Sequence, residues 1–179
     1  MPPFTDREKA FVYVIYGCGL RQGKALALTV SDLDFEKNVL TVNKALAYGK
    51  DDKPYIKTTK SSNGIRKVPL PAQTRDFLRS YCSGVKGKYL FYSKGSELMT
   101  REAYRRMWDY IAKKMNSPKL TAHIFRRNYC ANLCYQVPRI SLKKVAELLG
   151  DTDKMVIEVY NHVIEEKDDA LGAIEDALK

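Results

Sequence analysis

At 179 residues, 45% of them apolar and 29% charged, the chain has the material for one domain with a buried core, and its composition excludes a low-complexity or disordered polymer. No apolar run reaches the roughly 18 residues of a membrane-spanning helix, and the opening MPPFTDREKA lacks the basic-then-apolar order of a secretory leader, so a cytoplasmic protein with no membrane partner is expected. The formal charge of +10 is unevenly spread: residues 1–146 hold 28 Lys and Arg against 11 Asp and Glu, whereas residues 147–179 hold 3 against 10. A basic body with an acidic end suits a polyanion-binding domain, and equally a basic protein with solvated charged faces.

The elements follow in chain order. Thr5-Asp6 offers an N-cap for a helix over 6–20 carrying Phe11, Val12, Val14 and Ile15, which Gly17 and Gly19 break. Residues 38–47 alternate as a strand, and Tyr55–Thr58 and Ile65–Leu70 read as two more, with Asn63-Gly64 as a hairpin turn between them. These three segments predict one small antiparallel sheet. Helices resume after Pro69 and Pro71. Tyr104, Met107, Trp108, Ile111, Ala112 and Met115 form an amphipathic stripe at i, i+3, i+4, i+7, i+8 and i+11, read as core. Further helices are expected from about His123 to Tyr135, and across Leu142 to Leu149 with Ser141 as N-cap and Gly150 as stop. Another should carry Tyr160, and a last one should span about 165–178. The expected class is α+β: one domain, mainly helical, with a small three-stranded antiparallel sheet. Cys18, Cys82, Cys130 and Cys134 lack a CxxC pairing and the histidines to complete a zinc site, so they are read as buried thiols.

Four features carry chemistry. Arg21 follows a Gly-rich helix end, a rigid corner from which to present a guanidinium. The basic segment Lys57-Thr58-Thr59-Lys60-Ser61-Ser62-Asn63-Gly64-Ile65-Arg66 puts lysines beside a tight turn, able to reach into a groove that holds a phosphate backbone. His123 and Arg126 lie at i and i+3, on one helix face. Tyr160 stands in MVIEVYNHV. Taken separately, each has an ordinary alternative: a surface arginine, lysines that protect a sheet edge, a helix-start histidine beside solvated arginines, and one tyrosine among twelve.

Jointly and in this order they resemble the tyrosine recombinase family of phage and conjugative-transposon integrases. The first family box is similar to Gly19-Leu20-Arg21 with Ala25-Leu26-Ala27-Leu28 and Asp32-Leu33-Asp34. The family's hairpin lysine, about six residues before an arginine and a Val/Ile-Pro-Leu, matches Lys60 ahead of Arg66-Lys67-Val68-Pro69-Leu70, with Lys57 in reserve. The His-x-x-Arg box matches His123-Ile124-Phe125-Arg126, the Leu-Leu-Gly box Leu148-Leu149-Gly150, and the nucleophile box Tyr160-Asn161-His162. The likeness spans about residues 4–165.

The resemblance implies a tyrosine-recombinase catalytic-domain-like fold and site-specific recombination of a mobile element, integrating or excising it without metal or nucleotide cofactor. Tyr160 would attack a DNA phosphodiester, leaving a 3′-phosphotyrosyl bond and a free 5′-hydroxyl that reverses the step. Arg21 and Arg126 would stabilise charge on the non-bridging oxygens, since guanidinium is planar, always charged and bidentate. Lys60 would protonate the leaving oxygen, and His123 would bind the phosphate or accept the phenolic proton. Double-stranded DNA and further copies of the chain assembled on it are the implied partners, and a helix over 164–179 could dock on a neighbouring subunit. The whole of 1–179 reads as a catalytic domain whose family usually carries DNA-binding domains ahead of it; these are absent here, so a fragment is expected.

Two positions depart from the family. Asp151 stands where a histidine usually follows Leu-Leu-Gly; an ionised aspartate only accepts hydrogen bonds and repels a phosphate unless its pKa rises. It is expected to slow the reaction, shift its pH optimum or sit aside. Lys24 stands where an acid usually follows Arg21, which removes an anchor and is expected to loosen the site. Both departures motivate a rival reading, a DNA-binding module with an impaired active site. A type IB topoisomerase-like activity is a second alternative. A metal nuclease built on Asp32/Asp34 or Asp51/Asp52 is disfavoured, because no histidine or glutamate cluster supports those carboxylates.

Overall fold

Thr5 caps the first helix in both directions: its hydroxyl accepts from the Glu8 backbone, while the Glu8 carboxylate accepts from the Thr5 backbone. In a computed structural model that describes residues 4–58 and 65–165, this helix, α1, spans Asp6–Cys18. Gly17 stays inside it. Gly19 ends it, at φ 64°, and a side chain there would strike the ring of Tyr129. A five-residue helix α2 (Gln22–Leu26) and a 3₁₀ turn (Val30–Asp32) lead into the strands.

The strands are β1 (Leu33–Asp34), β2 (Val39–Val42), β3 (Lys44–Tyr48), β4 (Pro54–Thr58) and β5 (Arg66–Pro69). The single expected sheet is in fact two. The 38–47 segment divides at Asn43 into β2 and β3, which belong to different sheets. One sheet has the order β1-β2-β5, with Leu40 opposite Val68; the other pairs β3 with β4, with Leu46 opposite Ile56. Strand β5 therefore pairs with β2 rather than with the strand before it in sequence. The Asn63-Gly64 turn lies outside the described residues. The division has a packing reason: Leu40, Val42 and Val68 are buried under one sheet, while β3 lies against α2, where Gly23 lets the chain approach the Leu46 carbonyl.

Helices complete the chain: α3 (Ala72–Ser83), α4 (Arg101–Lys114), α5 (Ala122–Cys134), α6 (Leu142–Leu149) and α7 (Asp153–Glu165). The α4 stripe is core, with Met107, Trp108, Ile111 and Ala112 buried, whereas Met115 lies past the last turn and is exposed. Phe11 is fully buried, with its ring 5.2, 5.8 and 6.0 Å from those of Phe91, Tyr104 and Trp108. Each such edge contact adds about 0.5–1.5 kcal/mol beyond burial. The expected helix over 165–178, and with it docking by 164–179, falls almost wholly outside the described residues.

Buried side chains form two clusters. The larger joins α1, α2, the β1-β2-β5 sheet, α3 and α4; the smaller joins Cys130, Cys134, Val145, Ala146, Leu149, Val156 and Val163 of α5, α6 and α7. Helix α5 belongs to both, through Ala122 and Phe125 on one side and Cys130 and Cys134 on the other. Arg126 sits at that seam. Among the described residues no helix is long and apolar enough to cross a membrane.

Candidate active site

The C-terminal end of α6 organises the charged residues. Ser141 caps its start, and Gly150, in the left-handed conformation at φ 59°, ends it. A helix end leaves its last carbonyls without intrahelical partners. Two are satisfied by the turn itself, Glu147 by the Gly150 amide and Ala146 by the Asp151 amide. The next three are taken by three arginines from distant elements. Arg66 Nε donates to Leu148 O (2.8 Å), Arg126 Nη2 to Leu149 O (2.9 Å), and Arg21 Nη1 to Gly150 O (3.3 Å). Cations are favoured here because the helix dipole puts partial negative charge at this end.

Asp151 closes the arrangement. Its Oδ1 lies 2.9 Å from Arg21 Nη2 and its Oδ2 lies 2.9 Å from Arg126 Nη2. Arg126, only 4% exposed, also donates through Nη1 to the carbonyl of Gly19, tying α5 to the end of α1. Burial works against the charge on Asp151, but the hydrogen bond from Arg126 and the fields of Arg21 and Arg126 outweigh it and hold the carboxyl below the ordinary aspartate range. The Asp151 carboxyl is thus compensated by two guanidinium groups.

Lys24, one turn after Arg21, is buried beside these groups. Burial, then the charges of Arg66, Arg21 and Arg126, lower its pKa to about 8, with Asp151 acting in the opposite sense. Arg66 is lowered to about 10 by burial and by Arg126 and Arg21. Arg126 is lowered as well, by burial first. Four cations, Arg21, Lys24, Arg66 and Arg126, therefore share the field of the Asp151 carboxylate.

His123 is exposed at the start of α5 and shares with Arg126 a hollow of about 410 Å³, walled by Cys130, Leu149, Asp151 and the α7 residues Val156, Val159 and His162. The structure thus joins Arg21 and Arg126 through Asp151, and places His123 in the hollow that Arg126 and Asp151 line. Tyr160 lies on the α7 wall between Val159 and Asn161, both of which line the hollow, but its own half-buried side chain packs on the smaller cluster and is not part of the lining. Lys60 lies outside the described residues. Lys57 is exposed in β4, opposite Ala45. Arg66, the end of the basic segment 57–66, shares the inward face of β5 with buried Val68 two residues on. The acidic pairs have local roles, Asp32 accepting from Thr29 and pairing with Lys44, Asp34 pairing with Lys37, Asp51 with Lys53 and Asp52 with Arg101.

This fold is that of tyrosine recombinase catalytic domains. It superposes with a TM-score of 0.75 on a Tn1549 transposon integrase solved with circular-intermediate DNA, at 23% identity over 86% of this chain and 54% of that one. XerA recombinase gives a TM-score of 0.68 at 20% identity, over 90% of this chain and 55% of that one. Residues 3–167 match the Phage integrase family, and the chain belongs to it. Curated relatives include a XerC-like tyrosine recombinase of Caldanaerobacter subterraneus subsp. tengcongensis, 26% identical over 95% of this chain and 49% of its own length. The tyrosine recombinase XerD of Proteus mirabilis is 29% identical over 92% of this chain and 50% of its own. The chain spans about half the length of the curated relatives it matches.

Proposed function

We propose that this chain is the catalytic domain of an enzyme that integrates or excises a mobile element, cutting and rejoining DNA through Tyr160. The observation that carries the reading is the convergence of Arg21 and Arg126 on a single anionic group, beside His123 and against the helix that bears Tyr160. Two guanidinium groups that share one anion can stabilise charge on the non-bridging oxygens of one phosphate, which is where it must be neutralised in the transition state. The Tyr160 oxygen forms a bond to phosphorus, the bond to the 5′-oxygen breaks, and that oxygen takes a proton from Lys60, with Lys57 as the reserve donor. His123 accepts the phenolic proton; where it binds the phosphate instead, that proton passes to solvent water. A 5′-hydroxyl of the same or a partner strand then reverses these steps. Because the Tyr160 side chain now packs beside the hollow, the reading requires α7 to turn or shift when DNA binds. The lysines and arginines of the basic body hold the duplex through its phosphates, and several copies assemble on paired sites.

The test is a nicked suicide duplex carrying candidate sites. A protein–DNA adduct that survives denaturant and is absent with Tyr160→Phe is expected. A second reading, a DNA-binding module with an impaired site, is favoured by Asp151 standing between the arginines and by the packing of Tyr160. It predicts binding of a verified site with no adduct. Relaxation of supercoiled DNA by the chain alone would instead favour topoisomerase-like activity.

A further inference from the structure

Among the described residues, Asp151 alone lines both of two hollows. One is the hollow that holds His123 and Arg126; the other is a groove between β5 and α6 lined by Arg21, Arg66, Lys67, Lys143 and Lys144. The two arginines thus face different spaces, and the Asp151 carboxylate is the partition, with one oxygen on each guanidinium at 2.9 Å. A carboxylate and the two non-bridging oxygens of a phosphodiester present the same pattern to arginine, two oxygens sharing one negative charge.

We propose that Asp151 is an internal occupant of the anion seat: it holds Arg21 and Arg126 in place when no ligand is bound, competes with phosphate for them, and must swing aside before both arginines can grip one phosphate. This inference rests on Arg21 and Arg126 being the phosphate clamp. The side chain is placed to leave. It is 19% exposed, and the amide of Asp151 stays fixed to the Ala146 carbonyl, so its side chain can rotate without unwinding α6. A phosphate entering in its place restores the charge that the buried Arg126 requires. Arg66 Nη1 and Nη2, buried near Gly150, have no acceptor among the described residues. With the carboxylate turned away, the side chain that lines both hollow and groove no longer stands between Arg21 and Arg126.

Thermal melting in inorganic sulfate, against chloride at equal ionic strength, tests this without DNA or Tyr160. A failure here is therefore distinguishable from a failure of the cleavage reading. Asp151→Asn should be stabilised by sulfate at concentrations at least tenfold lower than the unchanged chain needs. Arg21→Gln in the Asp151→Asn background should lose that gain. Should Asp151→Asn alone fold poorly, Lys24→Gln/Asp151→Asn, which keeps the formal charge of the cluster, carries the same comparison. Folding of Asp151→Asn in sulfate but not in chloride supports the proposal. Equal sulfate response with and without the carboxylate overturns it, as does a gain that survives Arg21→Gln.

Discussion

Arg66 lies over Gly150, and the missing side chain of the glycine is what admits it. A β-carbon at position 150 would overlap Arg66 Nη1 and come within 2.9 Å of its Cζ, at a residue whose φ of 59° already disfavours any side chain. The left-handed backbone alone costs alanine about 1–2 kcal/mol. Gly150→Ala should therefore destabilise the protein by about 2–4 kcal/mol, read from urea midpoints. In an Arg66→Ala background the same change should cost visibly less, because the overlap is gone and the two sites are coupled.

Arg126 makes three separate attachments, to Gly19 O, Leu149 O and Asp151. A lysine has one nitrogen, which reaches at most part of this set. Arg126→Lys is expected to lower stability by about 2–4 kcal/mol, near the cost of breaking a buried pair. On the proposed function it should also cut adduct formation by about two orders of magnitude, the effect of losing one charge-stabilising donor. Unchanged melting and unchanged adduct yield would remove Arg126 from both roles.

The buried Lys24 makes stability depend on pH in a defined sense. Its folded pKa of about 8 lies below the 10.5 of a free lysine, so the unfolded chain holds the proton more tightly. Its contribution therefore rises as pH climbs from about 8 to 10.5 and is least favourable below 8. Lys24→Met should stabilise the protein at neutral pH by on the order of 1–3 kcal/mol, and the gain should shrink toward pH ~10. Asp151 behaves oppositely. Its carboxyl is held below the ordinary range, so the stability it adds is present above the unfolded value near pH ~4 and is lost as pH falls through its lower folded value. Chemical denaturation from pH 3 to 10 checks both signs.

All four cysteines are buried and free, and burial raises the thiols of Cys18 and Cys130 to about 12 and that of Cys82 to about 11. Thiolate is the reactive form. A water-soluble disulfide reagent should leave the native protein nearly untouched and titrate four thiols in denaturant. Rapid native labelling of any of them would mean that the local packing opens.

The sequence alone determined what depends on neighbours a few residues apart. The Thr5 and Ser141 caps, the Gly19 and Gly150 stops, the α4 stripe and the order of the family boxes are all local patterns, and the structure places helices where those patterns lie. Only the tertiary structure decided how the strands divide, because the hydrophobic alternation of 38–47 does not say that its two halves face different partners. It also decided the electrostatics. Arg21 reaches a carbonyl 129 positions away, Arg126 one 107 away and Arg66 one 82 away. Whether Lys24 loosens a site or is buried in it, and whether Asp151 repels or bridges, depends on the charges these long-range contacts bring within a few ångströms, and Coulomb energy follows distance in space rather than in sequence.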